Sequence, residues 1–171
     1  MGDQSMSVTE VSIHLVSTAN SRLLDHVDED VFDHKVQPAL LQTFLANPAN
    51  VLMVAVAEDQ VIGMASGIAY VHPDKPLQLF VNEVGVSGRF HRQGVGKRLL
   101  AALLQRGVEL GCHEAWVATE LGNAAARALY SSVGGKEEDE RAIVYIYSLA
   151  NDATTITPSN AFQRTLEDSR R

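Results

Sequence analysis

The sequence predicts an α/β fold, one mixed sheet with helices on both faces, and three observations carry that prediction. Runs rich in β-branched and aromatic residues recur at Val51 to Ala57, Val61 to Val71 and Leu77 to Val86. Apolar residues at helical spacing follow the last of them, as Val95, Leu99, Leu100, Leu103 and Leu104. Between these two patterns, Ser87 to Gln93 is a polar, basic, Gly-containing turn, so that Leu77 to Leu104 reads as strand, turn, helix.

In chain order, Val11 to Val16 alternates as an opening strand, and Ala19 to Val27 reads as a short helix with Leu23, Leu24 and Val27 inward. Asp28 to Asp33 is an acidic loop. Pro38 stands at a first-turn position of a second helix carrying Leu40, Leu41, Phe44 and Leu45, which ends near Asn47-Pro48. The strands Val51 to Ala57 and Val61 to Val71 are joined by the polar turn Glu58-Asp59-Gln60 as a hairpin. His72 to Pro76 is a loop into the strand Leu77 to Val86. After the helix that opens at Gly94, Gly111 stops the chain and Glu114 to Thr119 forms a buried strand. Asn123 to Ser132 is the last helix and Ile143 to Leu149 a closing strand, giving the order βααβββαβαβ. Residues 1–150 make one domain. Residues 151–171 are a polar tail, either disordered or a terminal helix from about Pro158.

A chain of 171 residues suits one domain with a sizeable core. The formal net charge of -7 argues against nucleic acid and anionic membranes as partners and favours a cationic one. Cys112 is the single cysteine, which excludes a disulfide framework; placed after Gly111 at a helix end, it reads as an inert filler. No apolar run approaches the ~20 residues of a membrane span, and Met1 to Ser7 lacks the apolar core of a signal peptide, so a cytoplasmic location is expected. The histidines show no HxxxH or cysteine pairing, and no metal is expected.

The turn and helix start have the makings of a phosphate cradle. Glycines let the backbone approach an anion, the unpaired amides of the first helical turn point at it, and the helix dipole favours negative charge there. Arg89, Arg92, Lys97 and Arg98 add cations in an otherwise acidic chain. Two common cradles are excluded. A P-loop needs a glycine where His91 stands and Ser or Thr where Arg98 stands, and a dinucleotide fingerprint needs a third glycine at Leu99.

His91-Arg92-Gln93-Gly94-Val95-Gly96 resembles the acetyl-CoA signature of the GNAT N-acetyltransferase superfamily, Gln/Arg-x-x-Gly-x-Gly/Ala, with His91 replacing the usual first residue. Asn123, Ala126, Leu129, Tyr130 and Gly134 are similar to its second cofactor motif, Asn-x-x-Ala-x-x-Leu-Tyr followed by glycine. The resemblance, from about Val11 to Leu149, implies the GNAT fold: a mixed, mostly antiparallel sheet of about six or seven strands, splayed where acetyl-CoA binds. It implies cofactor contacts from Val84, Gly85, Val86, His91, Arg92, Gln93, Gly94, Val95, Gly96, Lys97, Arg98, Asn123, Ala126 and Tyr130, with a strand distortion near Gly85. Asn123 also suits a helix N-cap, and the two roles are compatible.

Acyl transfer from a thioester to an amine needs a deprotonated acceptor, a polarised carbonyl and a proton for the thiolate. Glu83, in an apolar run just before Gly85, is the candidate base; a solvated carboxylate or a structural ion pair is the alternative. Tyr130 is the candidate acid by the resemblance, or an aromatic core residue. Asp28, Glu29, Asp30, Asp33 and Glu120, with Glu83, are candidate walls for a cationic acceptor, and the run Glu137 to Glu140 approaches the same cleft; each is alternatively solvated surface.

Within the superfamily the chain looks most like the aminoglycoside 3-N-acetyltransferases of type I. That resemblance rests on Val61-Ile62-Gly63, Tyr70-Val71-His72-Pro73 and Glu83-Val84-Gly85-Val86-Ser87-Gly88 leading into Arg92-Gln93-Gly94, with Glu83 where that family has aspartate and Asn82 where it has tyrosine. It implies an acetyl-CoA-dependent enzyme acetylating an aminoglycoside amine, conferring resistance, and a homodimer. A polyamine, another small amine or a protein amine is the alternative acceptor, and a non-catalytic acyl-CoA sensor is the alternative class.

Overall fold

The computed structural model describes residues 9–139 and 142–147. The chain divides into two units, Met1–Glu137 and Glu138–Arg171. The first holds a five-stranded sheet in the order β1-β2-β3-β4-β5, with β1 Ser12–Leu15, β2 Asn50–Ala57, β3 Gln60–His72, β4 Lys75–Val86 and β5 Glu114–Trp116. β1 to β4 are antiparallel neighbours; β5 joins β4 in parallel. The helices are α1 Pro38–Ala46, α2 Val95–Glu109 and α3 Ala124–Ser132.

Local sequence explains most of these elements. β2 is apolar along its length and almost wholly buried, because helices or loops cover both of its faces. Its hairpin to β3 turns on two residues, Glu58 and Asp59, both at positive φ (51° and 60°), as a type I′ loop requires. Pro38 opens α1 at its first position, where the missing N–H costs nothing. α2 ends where Gly111 adopts φ 86°, and Cys112 N then donates to the Gly107 carbonyl.

Two apolar clusters lie on opposite faces of the sheet. Under α2, Leu99, Leu100 and Leu103 pack on Met53, Ala65, Leu79 and Val81, with Leu79, Leu99 and Leu103 fully buried. On the other face, Val31, Leu52, Val54, Val61 and Met64 gather with Leu24 and are covered in part by Leu41, Phe44 and Leu45 of α1.

Several elements differ from expectation. Ala19 to Val27 forms only a 3-10 turn, Ser21–Asp25, because Val27 leaves it to bridge Val61 beside β3. The expected loop at His72 to Pro76 is a continuous hairpin: His72 pairs with Lys75, and His72 Nδ1 contacts the Asp74 carboxylate. β5 is three residues long and exposed, an edge strand rather than a buried one.

The expected closing strand does not form in residues 142–147, which lie in no ladder. Ile143, Val144, Tyr145, Ile146 and Tyr147 are instead 74–92% exposed. High β-propensity makes a strand only where another backbone accepts its hydrogen bonds. The tail at 151–171 lies outside the described residues.

The two-residue turn yields a stability prediction. Glycine at the second turn position removes the Cβ conflict of a left-handed residue at some loss of unfolded-state entropy. Asp59→Gly should therefore raise stability by about 0.5–1 kcal/mol, read as a shift in urea midpoint without a change in slope.

Candidate active site

The site begins with one extra residue in β4. Gly67 pairs with Val81 and Ser66 with Glu83, so Asn82 is a bulge opposite no partner. Before it, Leu79 and Val81 face α2; after it, Val84 and Val86 do. Glu83 pairs with Ser66 and Gly85 with Met64, which places both on the opposite face, with the 3-10 turn, α1 and the acidic loop. The strand distortion expected near Gly85 thus centres on Asn82, three residues before it. Glycine at 85 has a different cause: a Cβ there would come within 2.5 Å of the Val31 carbonyl oxygen, because the acidic loop lies directly on β4.

β4 then parts from its neighbour. Its ladder with β5 stops at Phe80–Trp116, while β4 runs on to Val86. Peptide groups of Val81 to Val86 that point away from β3 therefore have no partner strand among the described residues, as an extended ligand arm requires. Val84, Gly85 and Val86 are all half-buried along it.

At the end of β4 the chain makes the cradle. Ser87 is buried and its N–H donates to the Ile62 carbonyl at 2.8 Å. Arg92 and Gly94 both adopt positive φ, 60° and 80°, and Gly94 is the N-cap of α2 with no side chain capping it. The first-turn amides of Val95, Gly96 and Lys97 thus have no intrahelical acceptor and suit an anion. A Cβ on Gly96 would meet Leu129 of α3 at 3.5 Å, ordinary contact, so this glycine brings α2 and α3 close without being sterically obligatory.

The cradle's side chains divide by partner. His91 Nε2 donates to the Val86 carbonyl at 2.8 Å and Gln93 Nε2 to the Arg89 carbonyl at 3.0 Å, both bracing the turn on itself. Arg98 Nη2 donates to the Val11 carbonyl at 2.8 Å. Arg92 and Lys97 are exposed and have no hydrogen-bond or ion-pair partner among the described residues, which leaves them as the free cations of the turn.

Arg89 is not one of them. Its guanidinium donates to Asp28, which also accepts from Ser87 Oγ at 3.1 Å. Asp30 accepts from the Gly88 N–H at 2.8 Å. Asp28 is 9% exposed, and the hydrogen bond from Arg89 holds its carboxyl below the ordinary carboxylate value against the opposing effect of burial. The acidic loop is therefore latched to the cradle. Asp28 faces the protein interior rather than an acceptor, and Asp30 is partly engaged; Glu29 and Asp33 remain exposed. Spacing alone showed the acidic run, but not that a basic residue 61 positions later would meet it.

Glu83 is half-buried and has no hydrogen bond or ion pair among the described residues. Burial, with the Asp33 charge adding to it, pushes its carboxyl above the ordinary value. Tyr130 sits half-buried at the end of α3, its phenol pushed up by burial and by the Glu120 carboxylate. Asn123 Oδ1 accepts from the Ala126 N–H at 3.0 Å as the N-cap of α3, with its amide nitrogen left over. Ala126 is half-buried and Glu120 exposed beside this helix start. Burial raises the Cys112 thiol as well, which keeps it protonated.

The latch has a testable pH signature. Because the folded carboxyl of Asp28 is depressed, its stabilisation is complete above the unfolded carboxylate pKa and is lost as pH falls through the lower folded value. Asp28→Asn should therefore lower urea stability near neutral pH and flatten its acid dependence between about pH 5 and 2, so that the two proteins converge in acid.

Residues 18–134 match the acetyltransferase (GNAT) family. N-alpha-acetyltransferase RimI of Mycobacterium tuberculosis is 30% identical over 128 residues, 72% of this chain and 77% of that one. N-acetyltransferase 8 of Homo sapiens is 31% identical over 101 residues, 57% of this chain and 44% of that one. The chain spans about half the length of the first curated relatives it matches. Among solved structures, AAC(6')-Iy in complex with the bisubstrate analog CoA-S-monomethyl-acetylneamine superposes with a TM-score of 0.67 at 23% identity, covering 82% of this chain and 99% of that one. Other aminoglycoside acetyltransferase structures share the fold at similarly low identity. With both cofactor motifs in place and most of the sheet and helices covered by the match, the chain belongs to the GNAT acetyltransferase family.

Proposed function

We infer that the protein is an acetyl-CoA-dependent N-acetyltransferase acting on an amine of a cationic small molecule. The observation that carries this reading is the position of Glu83. It is a half-buried carboxylate with a raised pKa and no side-chain partner among the described residues, on the strand that leads into the candidate anion cradle and beyond the end of its ladder with β5.

The residues fit the cofactor. The first turn of α2 with Arg92 and Lys97 would hold its phosphates, and the open edge of β4 its extended arm. Bound there, acetyl-CoA supplies an activated acetyl thioester. Glu83, its proton affinity raised by burial, takes the proton from the acceptor ammonium, directly or through water. Amides of the β4 edge around Gly85 and Val86 would polarise the thioester carbonyl. Tyr130, kept protonated by its raised pKa, would give its proton to the leaving thiolate and be restored by the proton that the acylated nitrogen loses.

For the acceptor we take an aminoglycoside, with the 3-amino group as the modified position. This rests on the resemblance of Glu83 to Gly88 to the type I 3-N enzymes and on the acidic balance of the chain. The solved neighbour is named for position 6′, and at 23% identity its likeness speaks for fold alone. A second reading, the α-amine of a protein N-terminus, is favoured by the identity to RimI.

Two experiments check the reading. Thiol release from acetyl-CoA is measured with aminoglycosides with and without a free 3-amine, spermidine, and a peptide with a free N-terminus. Turnover confined to drugs with that amine is expected; turnover with the peptide alone selects the second reading, and no turnover with any amine refutes the enzyme. Glu83→Gln should lower kcat about 10²-fold or more with little change in acetyl-CoA affinity. In the wild type, kcat/KM should rise with pH through a step above the ordinary carboxylate range, and that step should vanish in the variant.

A further inference from the structure

The sheet face that carries Glu83 continues back along β4, and there it holds an aromatic surface that the transfer chemistry does not use. Tyr70 pairs with Gln78 across β3 and β4, and Phe80 with Trp116 across β4 and β5. Trp116 Nε1 donates to the Tyr70 hydroxyl oxygen at 2.8 Å, and that hydroxyl donates to Gln78 Oε1 at 2.5 Å. Gln78 Nε2 in turn donates to Glu114 Oε2 at 2.7 Å. The Phe80 and Trp116 ring centroids are 4.5 Å apart, tilted by 39°.

The hydrogen bond to Tyr70 and the tilted contact with Phe80 fix the indole, yet Trp116 stays 44% exposed. A core tryptophan hides its ring, and an incidental surface one has no such restraint. Here the N–H is satisfied inward, so what the residue still offers to solvent is ring surface. We propose that Trp116, flanked by Glu114, is an acceptor subsite that receives a second ammonium group of the substrate, remote from the amine being acetylated.

Charge and length both fit that occupant. A cation is drawn to the face of an indole, and the exposed Glu114 carboxylate adds a full negative charge in a chain of net charge -7. Phe80 pairs with Ile68 and Glu83 with Ser66, so across the bulge the two ends of the surface lie two ladder steps, about 7 Å, apart at ~3.3 Å per residue. The proposal rests on the amine-transfer reading above and narrows it: the acceptor carries at least two amines separated by about 7 Å. An amino sugar and a linear polyamine share this chemistry.

Trp116 is the sole tryptophan, so its emission reports the subsite directly, with or without turnover. The full chain is titrated with neamine, spermidine and n-butylamine in the absence of acetyl-CoA. A saturable change with one or both of the first two, and none with n-butylamine, is expected; a response to neamine alone assigns the subsite to amino sugars, to spermidine alone to linear polyamines. In turnover, Trp116→Leu should reduce kcat/KM for the responding diamine relative to n-butylamine about tenfold, mainly through KM, with Trp116→Phe retaining part of the preference. Tyr70→Phe, which removes the acceptor-donor link without touching the ring, should fall between. Should Trp116→Leu fail to match the wild-type circular dichroism, Trp116→Phe carries the test. An unchanged preference, or a diamine that is turned over without altering Trp116 emission, overturns the subsite. Absence of all turnover refutes the transfer reading instead, and the emission titration then decides the subsite alone.

Discussion

The arrangement of this protein depends on the phase of one strand. β4 must bury apolar side chains against α2 along its whole length, and strict alternation would put Glu83 on that same face, beneath α2 with Leu79 and Val81. A carboxylate there would be deeply buried and without a partner, at a cost of several kcal/mol. The bulge at Asn82 resets the alternation. Val84 and Val86 keep their places against the core and Glu83 turns to the other face, just past the point where the β5 ladder stops. Burial of the valines, orientation of the Glu83 carboxylate and the end of the β4–β5 ladder thus have a common origin.

The acidic loop is the second determinant, and it acts through backbone approach as much as through charge. Val31 packs its carbonyl against Gly85, Asp30 accepts from Gly88, and Asp28 joins Ser87 and Arg89. Loop and cradle therefore belong to one packed unit, although they are widely separated in sequence. The side chain that would bind acceptor and the turn that would bind cofactor are held in fixed relation by the acidic loop. Asp33, at the far end of the same loop, contributes to the raised pKa of Glu83. The latch thereby helps to place the charge that raises the Glu83 carboxyl.

Much of the site was legible from residue types and spacing. The glycines at 94 and 96, the strand before them and the helix after them sufficed to single out a candidate anion cradle, because positive φ and unpaired first-turn amides are local properties. Asn123 was legible both as a cap and as a motif residue for the same reason. Arg89 and Asp28 were misplaced because an ion pair between residues 28 and 89 is a tertiary fact; each looked like a free charge in its own neighbourhood. Trp116 carried no signal at all, since the hydrogen bonds that fix it come from two other strands.

The sequence by itself determined the elements whose cause is local. These are the hydrophobic periods of β2, β3 and α2, the proline that opens α1, the glycines that begin and end α2, and the two cofactor motifs that mark the family. Only the tertiary structure decided which apparent strands acquired partners. β3 and β4 extended their hairpin through the expected loop, because each had a neighbour to bond, whereas residues 142–147 formed no ladder despite equal propensity. It also decided on which side of β4 the carboxylate falls. That outcome turns on one unpaired residue in a register, and register is a relation between strands that no single stretch of sequence contains.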